Sequence, residues 1–440
     1  MTCPLLELVN IYAAMIGDET HPSVCRDPGR RHHWSTLQER CSSAEADEMT
    51  HAAMSTGPES AATKAERPVV HSGELIPFND LRIQWREIAG SAQREFNDVF
   101  ATSAFCLGAQ VEAFEREIAS YLGAAHAIGV NSGTSALHLA IIAANIGPGD
   151  EVLVPAHTFI ATLWGALYAG ATPVLCDVDE TTGTIDVDDA ARRLSPRTRA
   201  ILPVHLYGQL ANMRAVIAFA ERHRLAVIED AAQSIGARWD GRAAGTMGLL
   251  GCYSFYPGKN LGAAGEAGLV TTNDATIAAR LRALRSHGQS EPYIHAQVGF
   301  NYRMDGLQAA ILRHKLMRLD AWTARRRALA ERYRRGLAGL PLQIPAVHHR
   351  DHVWHLFVVR TPQRDALREH LQRAGIETGL HYPVPLQRQP CLAHLVTDRD
   401  SFPRAEQWAR EGLSLPLFYG MSDGQVDRVI RTMREFSFSA

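Results

Sequence analysis

Ser254-Phe255-Tyr256-Pro257-Gly258-Lys259-Asn260-Leu261-Gly262 decides how this 440-residue chain is read, because it sets a lone lysine between glycine and asparagine where the apolar run Leu249 to Phe255 ends. An amine with an ordinary pKa of about 10.4 is a poor nucleophile at neutral pH, and partial burial is the usual way to free its lone pair. Lys259 in that setting suits imine chemistry. Taken alone the stretch says little, since most lysines are solvated surface charges.

Two further clusters change the weighing. The strand pattern Leu225-Ala226-Val227-Ile228 runs into Glu229-Asp230-Ala231-Ala232-Gln233, which puts a carboxylate at the C-terminal end of a strand, where open α/β sheets bind ligands. Asp230 there suits the protonated ring nitrogen of pyridoxal 5'-phosphate, whose electron-sink chemistry an adjacent carboxylate favours. Its bland alternative is a helix N-cap. Upstream, Gly129-Val130-Asn131-Ser132-Gly133-Thr134-Ser135 joins a short strand to the apolar helix pattern beginning at Leu137. Such a turn offers free backbone N–H groups and hydroxyls to a phosphate; on its own it reads as an ordinary N-capped helix.

Phosphate cradle, strand-end aspartate and lysine stand in the order of a fold type I pyridoxal phosphate enzyme. From Ile76-Pro77-Phe78-Asn79-Asp80-Leu81 to the C-terminus the chain resembles the DegT/DnrJ/StrS family of sugar aminotransferases. Many separated motifs carry the resemblance: Phe114-Glu115, Asn131 to Thr134, Pro155-Ala156-His157-Thr158-Phe159, Pro203-Val204-His205-Leu206-Tyr207-Gly208, Glu229 to Gln233 and Ser254 to Gly262. Phe300-Asn301-Tyr302-Arg303-Met304-Asp305, Leu307-Gln308-Ala309-Ala310, His381-Tyr382-Pro383 and Leu415-Pro416-Leu417 continue the series.

The resemblance implies a role for each matching residue. Lys259 forms the internal aldimine and becomes the base once freed, Asp230 holds the ring nitrogen, Gln233 contacts the ring hydroxyl and Phe159 stacks on the ring. Gly133, Thr134 and Ser254 receive the phosphate, and Asn301 reaches the phosphate of a neighbouring subunit, so a homodimer with shared sites is expected. His381 and Tyr382 face the substrate. The implied reaction is ping-pong transfer of an amino group from glutamate or glutamine to a keto group of a nucleotide-activated sugar. Ser135 and Gln387 depart from the aspartate and histidine that many relatives carry, which bears on the sugar and not on the cofactor. Lys259 itself argues against the dehydratase branch, where histidine replaces that lysine. The rivals are an amino-acid or cyclitol aminotransferase of the same fold and a non-catalytic regulator that senses the cofactor. An amino-acid enzyme needs an arginine clamp that no C-terminal residue announces, and a regulator needs a DNA-binding module that is not evident.

Composition fits these expectations. With 46% hydrophobic and 21% charged residues the chain reads as globular, and a net charge of −2 provides no general field for nucleic acid or anionic membranes. Arg325-Arg326-Arg327 reads as the solvated face of a long helix from Leu307 to about Leu337, with Leu316, Leu319 and Trp322 on the other face. Seven scattered cysteines without a Cys-x-x-Cys pair suit a reducing cytoplasm, and no stretch is long enough to span a bilayer. Residues 1–72 match nothing in the family; their Ala-, Ser- and Glu-rich second half reads as a disordered extension, and Met49 or Met54 is an alternative start.

From about Glu74 strands and helices alternate, which argues for a large α/β domain over residues 73–330, built on a mainly parallel sheet, followed by a smaller α+β domain over 331–440. The smaller domain is expected to hold a strand from Trp354 to Val359, a helix from Arg364 to Ala374 and a last helix buried through Val426, Val429, Ile430 and Met433. The run His348-His349-Arg350-Asp351-His352 with His355 invites a zinc reading, but strand alternation separates His352 from His355, and no metal is expected. Gly251 to Gly258 is too widely spaced for a P-loop.

Overall fold

The computed structural model describes residues 74–348, 351–395 and 401–438. The extension expected over 1–72 lies outside them, as do His349 and Arg350 of the histidine run.

Seven strands form the main sheet: β1 (His126–Val130), β2 (Glu151–Pro155), β3 (Thr172–Cys176), β4 (Thr198–Ile201), β5 (Ala226–Asp230), β8 (Leu250–Ser254) and β9 (Gly268–Thr272). Their spatial order is β1-β9-β8-β5-β4-β2-β3. Strands β3, β2, β4, β5 and β8 pair in parallel, while β9 runs antiparallel to both of its neighbours. Apolar runs such as Val152-Leu153-Val154 are buried on both faces, as expected of parallel strands covered by helices on each side. A short hairpin, β6 (Arg238–Trp239) with β7 (Arg242–Ala243), projects between β5 and β8.

The alternation of the chain foretold this sheet but not the place of β9. Gly268, its first residue, pairs with Val130 of β1 on one side and Ser254 of β8 on the other. A methyl group on Gly268 would lie 2.3 Å from the Ser132 carbonyl oxygen, so only glycine lets the turn after β1 cross at this point.

Two expectations are corrected. The long helix is two: Gly306–Leu316 and Leu319–Gly336. The chain turns at Met317, with Arg318 N–H donating to Lys315 O at 3.0 Å; the turn buries Leu319 and Trp322 while Met317 stays exposed. The strand expected from Trp354 begins only at Phe357, as β12 (Phe357–Arg360), paired antiparallel with β13 (Gly412–Leu415). Trp354 takes a left-handed φ of 49°, its N–H donates to His352 Nδ1 at 2.9 Å, and its ring stacks 3.9 Å from that imidazole. These contacts replace a strand ladder.

The helices Arg364–Arg373 and Asp423–Glu435 form as expected. Val426, Val429, Ile430 and Met433 are buried in a cluster with Ile76, Leu329, Tyr333 and Phe357. A second short hairpin, β10 (Gln289–Glu291) with β11 (Ile294–His295), leaves Tyr293 and Ile294 exposed. Among the described residues no helix is long and apolar enough to cross a membrane.

Candidate active site

A cavity of about 720 Å³ opens at the carboxyl ends of the parallel strands, and Gly133, Thr134, Phe159, Asp230, Gln233, Ser254, Lys259, His381 and Tyr382 all line it. Its place is the one that sheet topology favours for a ligand.

Lys259 sits in the loop after β8. Phe255 N–H donates to Ala267 O and Ala263 N–H to Phe255 O, both at 2.8 Å, which closes the loop at its base. Lys315 Nζ donates to Gly262 O at 2.6 Å and ties down its far end. Burial lowers the Lys259 ammonium to about 8, against the opposing pull of Asp230. An amine so placed is a competent nucleophile near neutral pH.

Asp230 ends β5 and is 5% exposed. Thr162 Oγ1 donates to Oδ2 at 2.8 Å and Ala232 N–H to Oδ1 at 3.1 Å. No helix starts here, so the capping alternative reduces to one bond within a turn. Burial raises the Asp230 carboxyl above the usual range, and the Thr162 hydroxyl, the Ala232 N–H and the Lys259 charge offset this only in part. A buried carboxylate in that condition is stabilised by a cation brought against it.

Ser132 caps the helix Gly133–Ala143, its Oγ accepting from Ser135 N at 3.0 Å. The departing residue Ser135 returns a second contact, Oγ to Oγ at 2.9 Å. The Gly133 and Thr134 N–H groups belong to the unpaired first turn, at the positive end of the helix dipole. A Cβ on Gly133 would stand 2.7 Å from Ser254 Cβ, so the cradle and the Ser254 hydroxyl close on the same point.

Phe159 is 52% exposed, with its ring 5.6 Å from that of Tyr382. Gln233 Oε1 accepts from Tyr207 N at 2.7 Å, and its Nε2 donates to the Tyr382 hydroxyl at 3.0 Å. His381 Nδ1 bonds Ser414 Oγ at 2.8 Å, and its ring stacks on Phe78 at 5.6 Å. Burial, reinforced by the Lys259 charge, lowers the His381 imidazole to about 4, so it is neutral at working pH. The Tyr207 hydroxyl donates to His381 O and bonds His157 Nε2 at 2.7 Å.

Asn301 is the one expected site residue that the chain does not bring to this cavity. It is exposed, paired through its backbone with Ser286.

The expectation for Arg326 is overturned. It is 3% exposed, lines the cavity, and its Nη1 donates to Leu417 O at 2.9 Å, Trp354 O at 3.1 Å and His355 O at 3.4 Å. Thr162, Tyr207, Asn260 and His355 were also missed as site residues. The histidine run had drawn attention to His355 for metal binding, yet its Nδ1 faces Asn260 Oδ1 at 3.2 Å while His352 Nδ1 faces Trp354 N.

An anion cradle at a helix N-terminus, a buried carboxylate with no ion pair among the described residues, an aromatic face and an amine of lowered pKa fit pyridoxal phosphate, its phosphate, pyridinium, ring and aldehyde respectively.

Comparison with known proteins agrees with this geometry. The dTDP-3-amino-3,4,6-trideoxy-alpha-D-glucose transaminase of Streptomyces venezuelae is 46% identical over 364 residues, 82% of this chain and 96% of that protein. The crystal structure of S. venezuelae DesV in complex with a ketimine intermediate is 46% identical, with a TM-score of 0.81 over 82% of this chain and 98% of the other. Bacillus subtilis NtdA, solved with bound cofactor PMP, is 30% identical, with a TM-score of 0.77 over 84% and 87%. A sequence profile of the DegT/DnrJ/EryC1/StrS aminotransferase family matches residues 86–434. The protein is thus a pyridoxal phosphate-dependent enzyme and belongs to the DegT/DnrJ/EryC1/StrS aminotransferase family.

Proposed function

We propose that this protein is a nucleotide-sugar aminotransferase of amino-sugar biosynthesis, which takes an amino group from glutamate or glutamine and delivers it to a keto group of a nucleotide-activated sugar. The observation that carries the reading is the convergence of Lys259, Asp230 and the Gly133–Thr134 turn on one cavity.

The bound cofactor supplies an electron sink for the carbanion formed when a proton leaves the carbon bearing the amino group. Lys259 is the group placed to take that proton and to return it, and its lowered pKa suits both directions near neutral pH. Asp230 would hold the ring nitrogen in its protonated form, with Thr162 and the Ala232 N–H fixing the carboxylate. Gly133, Thr134 and Ser254 would bind the phosphate, Phe159 would cover the ring, and the Gln233 amide, oriented by Tyr207 N, would face the ring hydroxyl. His381 and Tyr382 form the wall on the substrate side.

Arg326 is the one arginine among the cavity's lining residues, and its Nη1 is turned to main-chain carbonyls.

We infer further that two copies share their sites through Asn301. This residue is exposed and outside its own cavity, and the segment beside it exposes Tyr293 (94%) and Val298 (88%), apolar surface of the kind a partner covers. A cytoplasmic location is the reading that suits the free cysteines, of which Cys176 and Cys252 are buried thiols.

The test is a screen of amino donors against dTDP-, UDP- and GDP-activated keto sugars with mass-spectrometric detection of amino sugars. Transfer to at least one of them is expected; transfer to keto acids alone would turn the assignment to an amino-acid enzyme.

A further inference from the structure

His355 had no role in the expected site, yet it lines the cavity and its ring is oriented by a hydrogen bond to the residue next to Lys259. Asn260, the neighbour of Lys259 and 3% exposed, donates from Nδ2 to Val353 O at 2.9 Å. A carbonyl oxygen only accepts, so this bond fixes which end of the Asn260 amide is oxygen. Oδ1 therefore faces His355 Nδ1 at 3.2 Å, and Nδ1 must carry the proton. The other ring nitrogen, Nε2, is left with a bare lone pair. No group among the described residues bonds it, and His355 lines the cavity that contains Lys259.

The backbone is fixed as well. Arg326 Nη1 binds the carbonyls of Trp354, His355 and Leu417, so the segment bearing His355 is tied both to the lysine loop and to the helix Leu319–Gly336. Burial holds the imidazole well below its ordinary pKa, and the charges of Lys259, Arg326 and His381 act in the same direction. Across the working range the ring is neutral, and Nε2 accepts without donating.

Resting on the sugar-aminotransferase reading above, we propose that His355 is a specificity-determining residue: its Nε2, oriented through Asn260, accepts a hydrogen bond from a hydroxyl of the acceptor sugar. A pre-oriented acceptor discriminates well because it is left unpaired, at a cost, by a substrate lacking that hydroxyl. Other polar side chains, Asn79, Glu266 and Tyr382 among them, also line the cavity; His355 is set apart by an acceptor whose tautomer and orientation are fixed through Asn260.

Two variants of the holoenzyme separate this role from simple packing. His355→Asn keeps a donor in the place of Nδ1 and removes the cavity-facing acceptor; His355→Gln restores an acceptor near the place of Nε2. The two half-reactions are followed separately through the cofactor absorbance, with L-glutamate as donor and a dTDP-activated keto-deoxyhexose as acceptor, UDP and GDP counterparts being used in parallel. His355→Asn should lower kcat/KM of the acceptor half-reaction by about tenfold or more and leave the donor half-reaction within about threefold, and His355→Gln should recover most of the loss. Equal slowing of both halves would place His355 on Lys259 or on the fold and overturn the proposal, as would two variants that behave alike. A wild-type enzyme that completes the glutamate half-reaction but transfers nothing to any nucleotide sugar removes the underlying reading as well, and is distinguishable from either result.

Discussion

Glu229 and Asp230, adjacent at the end of β5, serve opposite faces of the sheet. Asp230 lines the cavity. Glu229, fully buried, accepts from Gly245 N at 2.8 Å and from Met247 N and Gly248 N at 2.6 Å each, and pairs with His205 Nε2 at 2.9 Å. One carboxylate faces the cavity, and its neighbour organises the chain that leads into β8.

Adjacent substitutions should therefore give opposite phenotypes. Glu229→Ala strands three main-chain N–H groups and a histidine in the interior and should cost roughly 3 kcal/mol or more of stability, read from a urea denaturation midpoint. Asp230→Asn keeps the shape and loses the charge, so the fold should persist while turnover falls by roughly two powers of ten. Near-normal turnover in Asp230→Asn would remove that residue from the site.

Borohydride reduction should fix the cofactor to Lys259 alone, as read by peptide mapping. Because burial lowers this amine to about 8, the rate at which apoenzyme takes up pyridoxal phosphate covalently should rise as pH passes through about 8, where the neutral amine becomes the major form. A lysine with an ordinary pKa would keep gaining rate up to about 10.4. Lys259→Ala should retain some cofactor noncovalently and lose turnover by several powers of ten, since both nucleophile and base are gone.

Mixed dimers test the reach of Asn301. Co-expression of Lys259→Ala with Asn301→Ala should yield heterodimers in which one site carries both lesions and the other neither, so activity should reappear in the mixture. Confirmed subunit exchange without recovery, between two inactive parents, would exclude a shared site.

Gly268→Ala should be far more damaging than an exposed Gly→Ala change. The added methyl meets the Ser132 carbonyl and Gly133 N, which are main-chain atoms unable to swing aside. Loss of cofactor retention together with a lowered melting temperature is expected; a variant with wild-type cofactor affinity would show that the cradle is less constrained than its geometry implies.

Lys259, Asp230 and the Ser132–Thr134 turn were legible because each lies at a strand end that local apolar pattern marks. Separated motifs then fixed the family. Arg326 was misread because the sequence shows three consecutive arginines on a helix, and nothing local announces that carbonyls from Trp354, His355 and Leu417 converge on the middle one. His355 was noticed for the wrong chemistry: spacing exposes histidines to a metal reading, whereas its actual partner, Asn260, lies 95 positions away. The order of the sheet was equally invisible. Alternation predicts strands and their burial, but the insertion of β9 between β1 and β8 depends on Gly268 fitting beneath a turn more than 130 residues earlier in the chain.

That antiparallel strand has a bearing on how such enzymes diversify. Because β9 clasps β1 and β8 together, the phosphate turn and the lysine loop are anchored in one rigid slab. Much of the opposite wall, His355, His381, Tyr382 and Leu417, comes from the last hundred residues of the chain. Substitutions there would leave the spacing of the reactive groups intact, which makes the C-terminal wall the place where, on the proposed reading, a drifting lineage or a protein engineer would exchange one sugar for another without rebuilding the chemistry.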